Sequence, residues 1–315
     1  MELILVNIID GLVTGLLLFM LSAGLTLIFS MMGVLNFAHA SFYMLGAYFA
    51  YQISIALGFW MGLLIAPLIV GVLGAGVERY GLRRVHQYGH VPELIFTFGL
   101  ALLIEELVQF IWGKSQMAFE EPEILKFAAF SIAGNAFPAY KVFMIFVAVG
   151  IFLVLLYILT KTRVGMIIQA ALSYPETVQN LGHNVPLVFM GVFGVGTALA
   201  GLAGVMAGPV LGTFPGMAVV LGSIVFVTIV VGGLGSLWGG LAASLLIGWL
   251  QTFAASYNVT MKDVLTSVGL SEPADLATHA LRDLWTLTLP QIGPILPYLL
   301  MVLVLAFRPQ GLFGK

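Results

Sequence analysis

Four polar side chains stand close together in a stretch that is otherwise hydrocarbon. Asn36, His39, Ser41 and Tyr43 fall within "GVLNFAHASFYMLGAY", residues 33–48. Asn and His donate and accept hydrogen bonds without carrying a fixed charge, so they suit neutral or zwitterionic partners. If residues 34–50 are helical, Asn36, His39 and Tyr43 share one face with Gly46 and Ala50, and Ser41 points elsewhere. Two roles then compete. One is an interhelical hydrogen-bond cluster, worth ~0.6 kcal/mol per bond. The other is the wall of a wet path, since polar groups at such positions face a bundle interior or a cavity. Glu105, Glu106 and Gln109 make a second polar group near the end of another apolar run. They are read as reaching the interface or a neighbouring helix, with a proton relay as the alternative.

Other chemistries lack their parts. Gly113-Lys114-Ser115 imitates the end of a phosphate loop, but Val108 stands where the first glycine is required, and the preceding segment is an apolar run and not a strand. There is no cysteine, which removes disulfides, thiol catalysis and thiolate metal sites. His86, His90, His183 and His279 fall in loops without metal-ligand spacing. No paired acids or nucleophile constellation points to catalysis, and no metal or cofactor is expected on this chain.

The elements that position these groups are set by composition. Hydrophobic residues make up 61% of 315 positions and charged residues 8%, with a mean hydropathy of +1.09. Soluble domains carry about 25% charged residues. The runs are about 20 residues long, which fits helices crossing a ~30 Å hydrocarbon core, and barrel-type alternation is absent. The expectation is an all-α polytopic transmembrane bundle forming a single domain over 1–315. It has eight or nine spans, at roughly 5–30, 31–57, 59–78, 92–112, 140–160, 186–210, 217–233, 236–254 and 293–307. The second and seventh border Gly-rich or polar sequence and could be re-entrant. The first run lacks a basic flank and a cleavage site and is expected to be retained.

Arg79, Arg83 and Arg84 follow the third run, Lys161 and Arg163 the fifth, and Arg308 and Lys315 the last. The positive-inside rule then puts the N-terminus outside and the C-terminus in the cytoplasm. The loops at 113–139 and 255–292 fall outside, with Glu120, Glu121, Glu123, Asp263, Glu272, Asp275 and Asp283.

Gly204, Gly208, Gly212 and Gly216 recur every four residues, a spacing that lets membrane helices approach closely, while Pro209 and Pro215 would break a helix there. Shifting the chain by 202 positions aligns Thr26 with Thr228, Gly33 with Gly235 and Gly46 with Gly248, a weak parallel repeat that adds Thr228 to the candidate pathway. The segment "TKTRVGMIIQAALSYPETVQNLGHNVP" exceeds a simple turn. Pro175-Glu176 suits a first helical turn and Gly182 its end. A surface helix here would offer Thr177, Val178, Gln179 and Leu181 to a docking partner.

"GLTLIFSMMGVLNFAHASFYMLGAY", "VVGGLGSLWGG" and the closing "RPQGLFG" resemble the permeases of branched-chain amino acid ABC importers, from about Gly11 to the C-terminus. The resemblance implies an inner-membrane permease subunit working by alternating access and supplying no catalysis itself. It implies a second related permease, two cytoplasmic ATPase subunits that hold ATP and Mg, and a periplasmic solute-binding protein. No nucleic acid is involved, and lipid surrounds the chain. It also implies that the loop at about 161–185 couples to the ATPase through Thr162, Arg163, Gly165, Ala170, Glu176 and Gly182. Two departures stand out: Met166 and Gln169 replace basic residues common in relatives, and Ala40-Ser41 replaces Gly-Glu. The competing class is a secondary transporter or channel that works without ATP, with Glu105, Glu106 or His39 coupling protons.

Overall fold

In hydrocarbon a spanning segment must satisfy its own backbone, and the apolar runs do so as helices. The computed structural model describes residues 2–33, 35–132, 134–267 and 285–314; Glu272, Asp275, His279, Asp283 and Lys315 lie outside the described residues. In order come α1 (Glu2–Met32), α2 (His39–Leu57), α3 (Phe59–Val77), α4 (Arg83–His86), α5 (His90–Trp112), β1 (Ala128–Ile132), β2 (Asn135–Pro138) and α6 (Ala139–Lys161). They are followed by α7 (Arg163–Ser173), α8 (Pro175–Asn180), α9 (Val185–Leu211), α10 (Met217–Gly232), α11 (Leu237–Ser256), α12 (Met261–Ser267), α13 (Leu289–Ile292) and α14 (Leu296–Phe307). Eight helical segments among the described residues are long and apolar enough to cross a membrane, and α10, at 16 residues, is a shorter apolar helix. The chain is an all-α polytopic membrane protein.

Three local features depart from the sequence reading. The second run does not begin at 31: α1 ends at Met32, residues 33 and 35–38 are non-helical, and α2 starts at His39. The third run continues through a π-helical turn, Glu78–Leu82, into α4. The loop after α5 contains an antiparallel hairpin, β1–β2, where no strand was expected.

α1 and α9 hold the centre, α1 against α11, α9 and α6, and α9 against α3 and α2. Small residues set the spacing. A Cβ on Gly204 would overlap the Tyr43 carbonyl oxygen, and one on Gly46 would overlap Gly201 O, so α2 and α9 touch backbone to backbone. The four-residue glycine run therefore divides: Gly204 and Gly208 are packing positions in α9, while Gly212 and Gly216 belong to the break before α10.

The two ends of the bundle are polar in different ways. At one, Ser30 Oγ donates to Gly235 O at 2.8 Å, Arg83 Nη2 to Pro186 O at 2.7 Å, and the Leu312 N–H to Val231 O at 2.8 Å. The last contact returns the "RPQGLFG" tail onto the α10–α11 turn. At the other end, Lys141 Nζ lies 2.6 Å from Asp10 Oδ1, Ser256 Oγ donates to Asn7 Oδ1 at 2.8 Å, and Met117 pairs with Thr213. Gly33 and Gly235, aligned by the repeat, both take a positive φ (64° and 83°) where the chain reverses after α1 and α10.

Candidate functional site

The break between Met32 and His39 brings α2's first turn back alongside the middle of α1. Asn36 holds the turn: its Oδ1 accepts from Ala38 N at 3.1 Å and its carbonyl accepts from His39 N at 3.1 Å. His39 then reaches Leu21 O with Nε2 at 3.0 Å. Both geometries fix chemistry. Asn36 Oδ1 is committed as an acceptor, so Nδ2 presents donors. A carbonyl only accepts, so His39 Nε2 carries a proton, and Nδ1 of the neutral ring presents a lone pair. Asn36 Nδ2 and His39 Nδ1 are buried and have no protein partner. Buried polar groups are normally paired, and these two share their unpartnered state with Asn7 Nδ2 and the hydroxyls of Tyr43, Tyr48, Ser54 and Thr213.

Asn36 and His39 are among the residues that line a cavity of about 440 Å³ between α1, α2, α5, α10 and α14. Ser41 lines it as well; Ala40 and Ser41, where the chain departs from the resembled pattern, both stand on the wall. Most of the lining is apolar, with Leu25, Phe98, Leu102, Phe226 and Met301. Across it Tyr298 O–H donates to Ser223 Oγ at 2.7 Å. Glu105 is on the same wall and, among the described lining residues, is the one carboxylate. Its depth follows from Trp112, whose indole N–H donates to Gln52 Oε1 at 3.3 Å and whose ring lies 5.1 Å from that of Tyr48. Glu105 is seven residues nearer the basic end along α5, about 10 Å. The same step along α2 from Tyr48 lands on Ser41.

The sequence reading is thus divided by the fold. Asn36, His39 and Ser41 meet at the cavity, but Asn36 precedes α2, so it shares no helical face with Tyr43. Tyr43 is fully buried with its hydroxyl unpartnered and lies off the cavity. Thr228 is fully buried, bonds Ile224 O of its own helix at 2.8 Å, and also lies off it. Glu105 turns to the cavity instead of the interface, while Glu106 stays exposed.

At the basic end, α7 and α8 form a helical hairpin. Thr162 caps α7: its Oγ1 accepts from Gly165 N at 3.2 Å and donates to Ile158 O at 2.7 Å. Gly165 is buried against Ile158 O and Leu159, where a Cβ would not fit. Ala171, Val178 and Val185 make a small core of their own. Val178 is therefore not offered outward, while Thr177, Gln179 and Leu181 are. Arg163, Ala170 and Glu176 are exposed, and Gly182, with φ 88°, ends α8. Val164, Met166, Tyr174 (69% exposed) and Leu181 (73%) give the hairpin an apolar outer surface. The adjoining loop histidines are not isolated: His86 and His90 both contact the buried Glu93 carboxylate, with His90 Nδ1 at 3.3 Å from Oε2. No cluster of metal-ligating side chains occurs among the described residues.

At the acidic end a second cavity, about 530 Å³, opens between Tyr51, Phe59 and Trp60 and the loop carrying Glu120, Glu121 and Glu123. Lys126 Nζ bridges Glu120 and Glu123, both at 2.7 Å. That ammonium, by hydrogen bond first and charge second, holds the Glu120 carboxyl below the usual carboxylate range.

A polytopic helical bundle with a part-polar cavity between its helices is compatible with a membrane permease. The chain belongs to the family described as branched-chain amino acid transport system / permease component, whose profile matches residues 7–305. It is 25% identical to the high-affinity branched-chain amino acid transport system permease protein BraD of Pseudomonas aeruginosa over 98% of this chain and 95% of that protein. It is 27% identical to the permease protein LivH of Escherichia coli strain K12, over 82% of this chain and 88% of that one. No solved structure gives a significant match.

Proposed function

We propose that this chain is the inner-membrane permease subunit of a binding-protein-dependent ABC importer. It passes branched-chain amino acids, or related small polar or organic-acid solutes, into the cytoplasm. ATP and Mg are held by two partner ATPases, a second related permease completes the membrane unit, and a periplasmic protein delivers solute. The chain itself carries out no chemical catalysis. The observation that carries the reading is the α7–α8 hairpin. It is a pair of short helices packed on the start of α9, with an apolar outer surface, at the end rich in Arg and Lys. An apolar surface of that kind on a water-facing hairpin calls for a protein partner. The basic end is cytoplasmic by the positive-inside rule, so the N-terminus is outside and the C-terminus inside.

The cavity supports the transport half of the reading. It offers donors at Asn36 and acceptors at His39 and Glu105 within an apolar enclosure, as small-solute sites do. Glu105 on that wall also favours a second reading, a proton-coupled transporter without ATPase partners. Uptake of labelled branched-chain amino acids into inside-out and right-side-out vesicles separates the two. The importer requires ATP on the cytoplasmic side and the binding protein on the other. Uptake that follows a proton gradient and ignores ATP would replace it with the second reading.

A further inference from the structure

The π-helical turn between α3 and α4 holds a charged pair that the cavity and the hairpin do not use. Glu78 is 1% exposed, and Arg83 engages it with both arms, Nε to Oε1 at 3.0 Å and Nη2 to Oε2 at 2.5 Å. A helix with ordinary spacing would set these residues, five apart, off one another's face; the wider turn of Glu78–Leu82 realigns them. Arg83 Nη2 also donates to Pro186 O at 2.7 Å. Pro186 lies in the first turn of α9, immediately after the α7–α8 hairpin, where Asn184 caps the helix by accepting from Leu187 N at 3.1 Å.

A buried carboxylate does not need such an arrangement for stability, since an apolar pair of similar volume often does as well. What Arg83 adds is a direct tie between two helices. One end of the tie is the start of α9, which follows the hairpin directly in the chain and packs against it through Val185. The other is α3, packed along α9 through Gly71 and Gly74 against Gly194, Thr197 and Ala198. α9 in turn touches α2 at Gly201 and Gly204, and α2 begins with the cavity residues His39 and Ser41.

We infer that Arg83, held by Glu78, is a positioning residue for coupling: it locks α3 to the first turn of α9 so that movement of the docking hairpin shifts both helices together toward the cavity. The inference rests on the importer reading. Its test uses the assembled transporter, this chain with its co-purified partners, reconstituted in liposomes, and measures solute taken up per ATP hydrolysed. Wild-type uptake that does not depend on ATP sinks the importer reading, separately from this one. Given ATP dependence, Arg83→Met is expected to keep its partners and hydrolyse ATP while uptake per ATP falls about tenfold, within the usual range of coupling between sites. Glu78→Gln with Arg83→Met removes the unpaired charge and is expected to regain thermal stability without regaining uptake per ATP. Full coupling in Arg83→Met overturns the inference. So does recovered coupling in the double variant, and so does failure of both variants to assemble, since the pair would then serve folding alone.

Discussion

Gly204→Ala and Gly191→Ala make the same change on the same helix and are expected to act in opposite directions. At Gly204 the new Cβ would overlap the Tyr43 carbonyl oxygen and lie 2.9 Å from the Tyr43 carbonyl carbon and 3.0 Å from Ala47 N. All three are backbone atoms of α2, so no side chain can swing aside. Overpacking a close-packed interior costs about 1–3 kcal/mol, and an obstruction made of backbone belongs at the upper end. At about 2–4 °C per kcal/mol, the midpoint of thermal unfolding in detergent falls by about 5 °C or more. At Gly191 no heavy atom lies within 4 Å of the Cβ position, so Ala gains helix propensity of about 1 kcal/mol at no steric cost. Its midpoint is expected to hold or rise. The assay is thermal unfolding of each purified variant, read beside its abundance in the membrane. A Gly204→Ala midpoint matching wild type would refute the backbone contact between α2 and α9. Equal losses at both positions would refute the argument that space, and not glycine as such, decides.

Glu105→Gln and His39→Ala are each expected to lower uptake more than membrane abundance, because both side chains line the cavity; parallel loss of uptake and abundance would assign them to packing. Glu176→Lys with Gly182→Pro is expected to release the ATPase subunits in a pull-down while the permease stays inserted, since Gly182 ends α8 at φ 88° and Glu176 is exposed on it. A complex recovered intact would remove α8 from the docking surface. Lys126 lowers the Glu120 pKa, so that ion pair contributes above the unfolded carboxylate value and is lost as pH falls through the depressed one. Amide protection in β1–β2 is therefore expected to be flat from about pH 6 to 8 and to weaken in acid, below the usual carboxylate pKa of about 4. Lys126→Met should abolish that acid step; a step that persists would point to another group.

The span pattern was legible because length and apolarity alone decide whether a segment crosses hydrocarbon. The helix boundaries predicted at 59, 112, 160 and 210 fall within a residue or two of Phe59, Trp112, Lys161 and Leu211. What escaped was the extent of the break: a boundary was expected after residue 30, with the second run a candidate re-entrant segment, but α2 starts only at His39. Asn36 satisfies the freed backbone locally, leaving no charged or proline-rich signature to place the helix start. Glu105 was read as reaching the interface or a neighbouring helix, and which of the two was not legible from its own helix: only the neighbours α2 and α14 place it on the cavity wall. Val178 looked presentable because a short helix was expected without the α7 partner that buries it.

The interruption also explains why polar groups could be left unpaired at that depth. A continuous helix through residues 33–38 would bond every backbone amide internally and leave Asn36 and His39 free to turn toward neighbouring helices, the cluster reading. With the helix broken, Asn36 spends its Oδ1 and its carbonyl on the turn, and His39 spends Nε2 on Leu21. What remains on each is one directional group that no protein atom meets, a donor on Asn36 and an acceptor on His39. Desolvating such groups without partners costs about 1–3 kcal/mol each. Were the route to pass the broken start of α2, hydrogen bonds exchanged with solute would relieve that cost, which is the outcome that uptake by His39→Ala tests.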